Sequence, residues 1–167
     1  MTAPTTRRFW LLKTEPSCFS YEDLLAAPAQ TTHWSGVRNY QARNFLRDEM
    51  KIGDGVLFYY SSATPCGIVG TAQVVKEGYP DSTAWNAEDE HFDPRSTEAS
   101  PIWYMVDVRA GSRFANFLAL GDLRHVRELE AMELLKRGSR LSVQRVTAGE
   151  WETICAMGLQ GQSVAYG

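Results

Sequence analysis

The sequence is short of several features that mark large protein classes. No apolar run approaches the ~18 residues a membrane-spanning helix needs, and Met1 to Arg8 lack the hydrophobic stretch of a signal peptide. The expected setting is therefore cytoplasmic, or nuclear in a eukaryotic cell, with no membrane partner. Cysteine is scarce. Cys18, Cys66 and Cys155 are odd in number, far apart and without a C-x-x-C pair, so neither a disulfide framework nor a zinc site is indicated, and no metal or cofactor is expected. Missing too are G-x-G-x-x-G, a Walker loop, H-E-x-x-H and a G-x-S-x-G elbow. His33, His91 and His125 stand in no recognisable pairing with a cysteine or serine, and no catalytic residue is assigned.

An excess of positive charge is also lacking. Seventeen Lys and Arg against 20 Asp and Glu give a net charge of -3 and a pI near 5.6, which argues against a protein that coats phosphate non-specifically. Any nucleic-acid contact must be local. Basic residues do gather in two stretches, Arg38 to Lys51 and Lys136 to Arg145, with an acidic cluster from Glu88 to Asp93 between them.

What is present describes one folded unit. At 167 residues, 44% hydrophobic and 22% charged, the chain reads as a single monomeric domain, 1–167, with its core at about 8–158. Arg8 to Lys13 reads as a strand ended by Pro16, and Ser20 with Asp23 caps a short helix that stops before Pro28. Val37 to Met50 has helical spacing. Val56 to Tyr60 and Gly67 to Lys76 form a hairpin, residues 78 to 101 a long ordered loop with one turn after Ser82, and Ile102 to Arg109 a further strand. Leu120 to His125 and Glu130 to Lys136 suggest short helices, Leu141 to Val146 a strand, and Thr147 with Glu150 caps a last helix running to Gly158, before a loose tail. About five strands with short helices, out of βαβ alternation, give an α+β class: a curved mixed sheet or small barrel.

The densest run of binding chemistry is His33 to Asn44. Trp34 can stack on a base, Gly36 permits close backbone approach, amides such as Asn39 can bond a base edge, and Arg38 and Arg43 can reach phosphate. The bland alternative is a core Trp34, a helix-capping Asn39 and solvated arginines. Tyr59, Tyr60, Ser61 and Ser62 end a strand with aromatics and hydroxyls, while Tyr79, Trp85, Trp103 and Tyr104 flank the long loop. Strand alternation lets one tyrosine of the 59–60 pair reach a pocket.

Seven ordered motifs resemble one family. Phe9-Trp10-Leu11-Leu12-Lys13-Thr14-Glu15-Pro16, Trp34-Ser35-Gly36-Val37-Arg38-Asn39-Tyr40-Gln41-Ala42-Arg43-Asn44 and the stretch from Met50 to Ser61 are followed by Gly67 to Gly70, Tyr79-Pro80-Asp81, Trp103 to Val108 and Arg137 to Val143. Together they are similar to the EVE domain of the PUA-like superfamily, related to the YTH readers of methylated adenine. That resemblance implies a PUA-like mixed-sheet pseudo-barrel with short helices around it and a pocket for a modified base. The family often has His where Tyr60 stands and Ser where Thr14 stands.

The expected function is non-catalytic: a methylated or hydroxymethylated cytosine, or a methylated adenine, of DNA or RNA enters an aromatic cage. Trp34 forms one wall and Tyr60 or Trp85 the other, with Tyr79 nearby. Asn39, Ser35, Ser61 and the backbone of Lys13 and Thr14 meet the base edge, and Arg38, Arg43 and Arg140 meet the phosphates. The alternatives are a small-molecule or nucleotide sensor and an enzyme on a modified nucleoside with Glu15 or Asp81 as general base.

Overall fold

The computed structural model describes residues 6–160. Among these, six strands form one mixed sheet: β1 (Phe9–Thr14), β2 (Thr31–His33), β3 (Gly55–Tyr60), β4 (Gly67–Pro80), β5 (Tyr104–Ala119) and β6 (Val143–Val146). Their order is β2-β5-β4-β3-β1-β6; β1 and β3 run parallel, every other pair antiparallel, and the sheet stays open with β2 and β6 at its edges. Four α-helices accompany it: α1 (Tyr21–Ala26), α2 (Tyr40–Asn44, continued by a π turn Phe45–Glu49), α3 (Leu120–Leu123) and α4 (Ala148–Leu159). Both expected capping boxes are present, Ser20 with Asp23 on α1 and Thr147 with Glu150 on α4.

Alternation along β1 splits the core between the two faces of the sheet. Trp10 and Leu12 join Tyr21, Trp34, Phe45 and Phe58 on one side; Leu11 joins Leu57, Ile68, Phe114, Leu129 and Ile154 on the other. Each such fully buried side chain contributes about 1.5–3 kcal/mol. Where β3 begins, buried Asp54 accepts from the backbone N–H of Arg8 (3.1 Å) and Lys51 (2.9 Å) and from the Trp10 indole (2.9 Å), joining the start of β1 to the turn before β3.

The strands exceed the sequence reading. β5 starts at Tyr104 and continues ten residues past Arg109, because β4 supplies partners such as Gly70 to Arg113 and Gly67 to Ala119, and because Phe114 and Leu118 turn inward. Local preference in Ala110-Gly111-Ser112-Arg113 is weak, and pairing overrides it. By the same pairing β4 reaches Pro80, and β2, too short to show in the sequence, exists through Thr31 to Arg109 and its neighbours on β5.

Three of the helices, those read over 37–50, 120–125 and 130–136, are shorter than expected. α2 begins at Tyr40 rather than Val37, since the Asn39 side chain accepts from Ala42 N–H (2.9 Å) and takes the capping position. The two helices expected over 120–136 reduce to α3 and the 3-10 turns Arg127–Leu129 and Glu133–Leu135, which bury Leu129 and Leu134. The tail expected to be loose lies outside the described residues from position 161 onward.

Candidate functional site

The parallel strands β1 and β3 end side by side, with Thr14 opposite Tyr60. Ser61 N–H donates to Thr14 O (2.9 Å) and Lys13 N–H to Ser142 O (3.0 Å), which ties the turn after β3 and the approach to β6 to the end of β1. Facing them, the segment that leaves β2 is held by Trp34 N–H on Val106 O (2.7 Å). Between the two sides opens a cleft of about 950 Å³, the size of sites that take small molecules.

Of the residues the sequence points to, Lys13, Thr14, Trp34, Ser35, Arg38, Ser61 and Arg140 line this cleft. Trp34 is 7% exposed and meets Phe58 edge to face (centroids 5.5 Å apart, planes at 84°), so it is both core and cleft wall. The indoles of Trp10 and Trp103 donate to Asp54 and Asp93. That of Trp34 has no hydrogen-bond partner among the described residues and, unlike the enclosed N–H of Trp85, keeps access to solvent. A donor is therefore free on a ring that Phe19 meets at a right angle, centroids 6.4 Å apart, in a cleft that His91 also lines.

A buried carboxylate fixes this wall. Asp81 is 0% exposed and accepts from Gly36 N–H (2.8 Å), Arg38 Nη1 (3.0 Å), Thr83 N–H (2.9 Å) and the Thr83 hydroxyl (2.5 Å). Burial opposes ionisation of Asp81, but the hydrogen bonds from Thr83, Gly36 and Arg38 outweigh it and hold the carboxyl below its ordinary value. Gly36 has φ of +84°, and a Cβ there would lie 2.7 Å from the His91 ring, so only glycine lets the loop carrying His91 close over the segment.

Arg38 was expected to face phosphate, and the structure corrects this. Its five N–H groups go to His91 O twice, Val37 O, Asp81 and Thr83 Oγ1, and its guanidinium lies over Trp103 (5.5 Å); it is a clamp between strand segment and long loop with no donor left. Arg43 likewise turns away from the cleft: Nη1 donates to Ile102 O (2.7 Å) and Nε to Asn44 (2.9 Å). Asn39 is occupied as the α2 cap. Tyr60 points to α1, where its hydroxyl oxygen accepts from Tyr21 N–H (2.7 Å) and caps the helix. Tyr79 donates to Asp107 on β5, and burial together with that bond raises its pKa; Trp85 sits in the 3-10 turn Ser82–Trp85. Of these six residues only Arg38 lines the cleft. The second aromatic surface is Phe19, at right angles to Trp34, so the cage expected from Tyr60 or Trp85 becomes a corner.

The cleft is mixed in charge. Arg140 is exposed on its rim with no partner among the described residues, while Glu15 and Glu90 stand on the same lining. Lys13 borders the cleft, while its ammonium lies 5.6 Å over the Tyr59 ring and burial lowers its pKa. Ser62, noted in sequence with Ser61, also lines the space, as do Phe19, His91, Ser139 and Ser142, to which the sequence reading gave no binding role. His91 lies in the acidic stretch of the long ordered loop, and the structure places it by the close approach of its ring to Gly36 and by the two bonds of Arg38 to its carbonyl. Asp81, considered as a general base, has its oxygens occupied, and Glu15 is exposed at the rim.

Comparison with known proteins agrees with this fold. The model of the EVE domain matches residues 8–157. Thymocyte nuclear protein 1 of Rattus norvegicus is 43% identical over 166 residues, covering 89% of this chain and 73% of that protein. Among solved structures, a hypothetical protein from Leishmania major superposes with a TM-score of 0.87 at 43% identity, covering 94% of this chain and 98% of the other. Human THYN1, crystallised in complex with DNA containing 5-methylcytosine, superposes with a TM-score of 0.85 at 40% identity, covering 90% and 97%. With all six strands inside the matched range, the chain belongs to the EVE domain family.

Proposed function

We propose that the protein reads modified DNA by taking a methylated or hydroxymethylated cytosine, flipped from its stack, into the cleft beside Trp34, without turning it over. The observation that carries this reading is Trp34, whose indole N–H has no partner among the described residues, on the wall of a cleft also bordered by Lys13, Thr14, Ser35 and Ser61, in a chain whose human relative was crystallised with 5-methylcytosine DNA. Cytosine carries both acceptors and an amino donor on its pairing edge. The indole N–H suits an acceptor, and the hydroxyls and carbonyls suit the amino group.

Magnitude decides where selectivity arises. A base stacked on an aromatic ring is worth ~1–3 kcal/mol, and a buried methyl adds about 0.8 kcal/mol, only a few-fold in affinity. A hydroxymethyl can bond the serine hydroxyls, and a site built for that bond discriminates more strongly. Arg140 supports the phosphate at the flipped position. The test is titration of cytidine, its 5-methyl and 5-hydroxymethyl derivatives and N6-methyladenosine, free and in short DNA and RNA, following tryptophan fluorescence. Tighter binding of a modified cytosine in DNA, lost in Trp34→Phe, is expected. Equal affinity for every base, or an unaffected variant, refutes the reading; preference for methyladenine or RNA redirects it.

A further inference from the structure

β6 is an edge strand, paired with β1 on one side only. The cleft meets this edge at Arg140, just before β6. At the opposite end of β1 and β6 lies a second hollow of about 460 Å³, whose lining includes Arg7, Arg8, Phe9, Glu49 and Arg145. Arg8 and Arg145 are exposed to 58% and 65% of their side chains. Arg7 lies over the rings of Phe9 (5.0 Å) and Trp151 (5.3 Å) and donates from Nε to Gly53 O (2.8 Å), which leaves its terminal nitrogens without a partner among the described residues.

The balance at this hollow is positive. Glu49 pairs with both Arg145 (2.7 Å) and Arg8 (3.7 Å), and Asp54 lies buried beneath, so three guanidiniums face two carboxylates. In a chain with net charge -3, cations placed along one edge mark a local surface for a polyanion.

We infer that the β6 edge, from Arg140 to Arg145, Arg8 and Arg7, is a track for the phosphodiester backbone flanking the base in the cleft. The inference rests on the reading of that cleft as a base site. Arg140 and Arg145 are five residues apart, about 17 Å in extended chain. At ~3.4 Å of axis per phosphate on one strand, that length accommodates about five phosphates. Flat aromatic surface at Phe9 and Trp151 holds the far guanidinium in place, which limits the entropy lost on binding.

The experiment compares one modified cytosine as the free nucleoside, in a dinucleotide and in strands of three to nine nucleotides, at two salt concentrations. Affinity is expected to rise with length on one side of the modified base and to level off near five nucleotides. The Arg7→Gln/Arg8→Gln double variant, folded as judged by its melting temperature, loses roughly several-fold in oligonucleotide affinity per contact and lowers the salt slope by about 0.7 for each, while nucleoside binding serves as internal reference. Glu49→Gln is expected to tighten oligonucleotide binding. Arg109→Gln, on β5 beside β2 at the far edge, removes one positive charge away from the track, is compared per charge removed, and is expected to be silent. Affinity independent of length, or an equal loss in Arg109→Gln, overturns the track and leaves the base site standing. Length- and arginine-dependent binding without preference for a modified base keeps the track and removes the base site.

Discussion

Replacing Asp81 by Asn keeps the shape of the side chain and removes its charge. In the folded protein four donors converge on its two oxygens. An amide offers one oxygen, so its NH2 must point either at Gly36 and Arg38 or at Thr83, donor against donor. The Arg38 side chain, 22% exposed, then loses its only ion-pair partner among the described residues. Charge-assisted hydrogen bonds contribute ~1.5–3 kcal/mol each, and breaking a buried pair costs ~3–5 kcal/mol; the partial exposure of Arg38 places the expected cost near the lower bound, about 3 kcal/mol. For a domain of this size that corresponds to a melting temperature lower by roughly 6–12 °C.

The pH dependence sharpens this test. Asp81 is held below its ordinary value, so the folded state binds its proton less readily than the unfolded chain does. Its stabilisation is complete above the unfolded value near ~4 and fades as pH falls through the folded value. Paired thermal or urea melts from pH 7 downward are therefore expected to show a gap between wild type and Asp81→Asn that is constant near neutrality and narrows below about pH 4. A gap under ~0.5 kcal/mol at pH 7, or one that persists unchanged into acid, refutes the assignment of Asp81 as the charged anchor of the cleft wall.

Three further substitutions probe the same geometry. Gly36→Ala forces a methyl against the His91 ring at a positive φ and is expected to cost about 1–2 kcal/mol in a denaturant melt, with weaker nucleoside binding as the wall shifts. Tyr60→Phe strips the acceptor from Tyr21 N–H and is expected to lower stability by ~1–3 kcal/mol while base affinity stays as it was; a selective loss of affinity would return Tyr60 to the site. Arg38→Lys keeps the charge but cannot span His91 O, Asp81 and Thr83 together, so proteolysis of the 86–95 loop is expected to accelerate, and unchanged cleavage would show the clamp to be dispensable.

Part of the cleft's lining was legible in residues 33 to 44 and in the hydroxyls after β3, yet half of the residues named for the site lie elsewhere or have their polar groups engaged within the fold. Asn39 and Tyr60 have the right groups for a base edge, but α2 and α1 each needed a cap, and those amide and hydroxyl oxygens are taken by backbone N–H groups. Arg38 and Arg43 were spent on carbonyls of the 91–102 region, partners that lie more than fifty residues away along the chain. Composition cannot distinguish a guanidinium that meets phosphate from one that fastens a loop.

The sequence alone determined what depends on neighbours along the chain: the core strands from short apolar runs bounded by turn residues, α1 and α4 from Ser20-Asp23 and Thr147-Glu150, and the family from motifs in fixed order. Only the tertiary structure decided the extent of β4 and β5, the existence of β2 and the direction in which each polar side chain spends its hydrogen bonds. The physical reason is that a donor or acceptor buried by folding must find a partner wherever the fold places one, so its final use is set by residues distant in sequence.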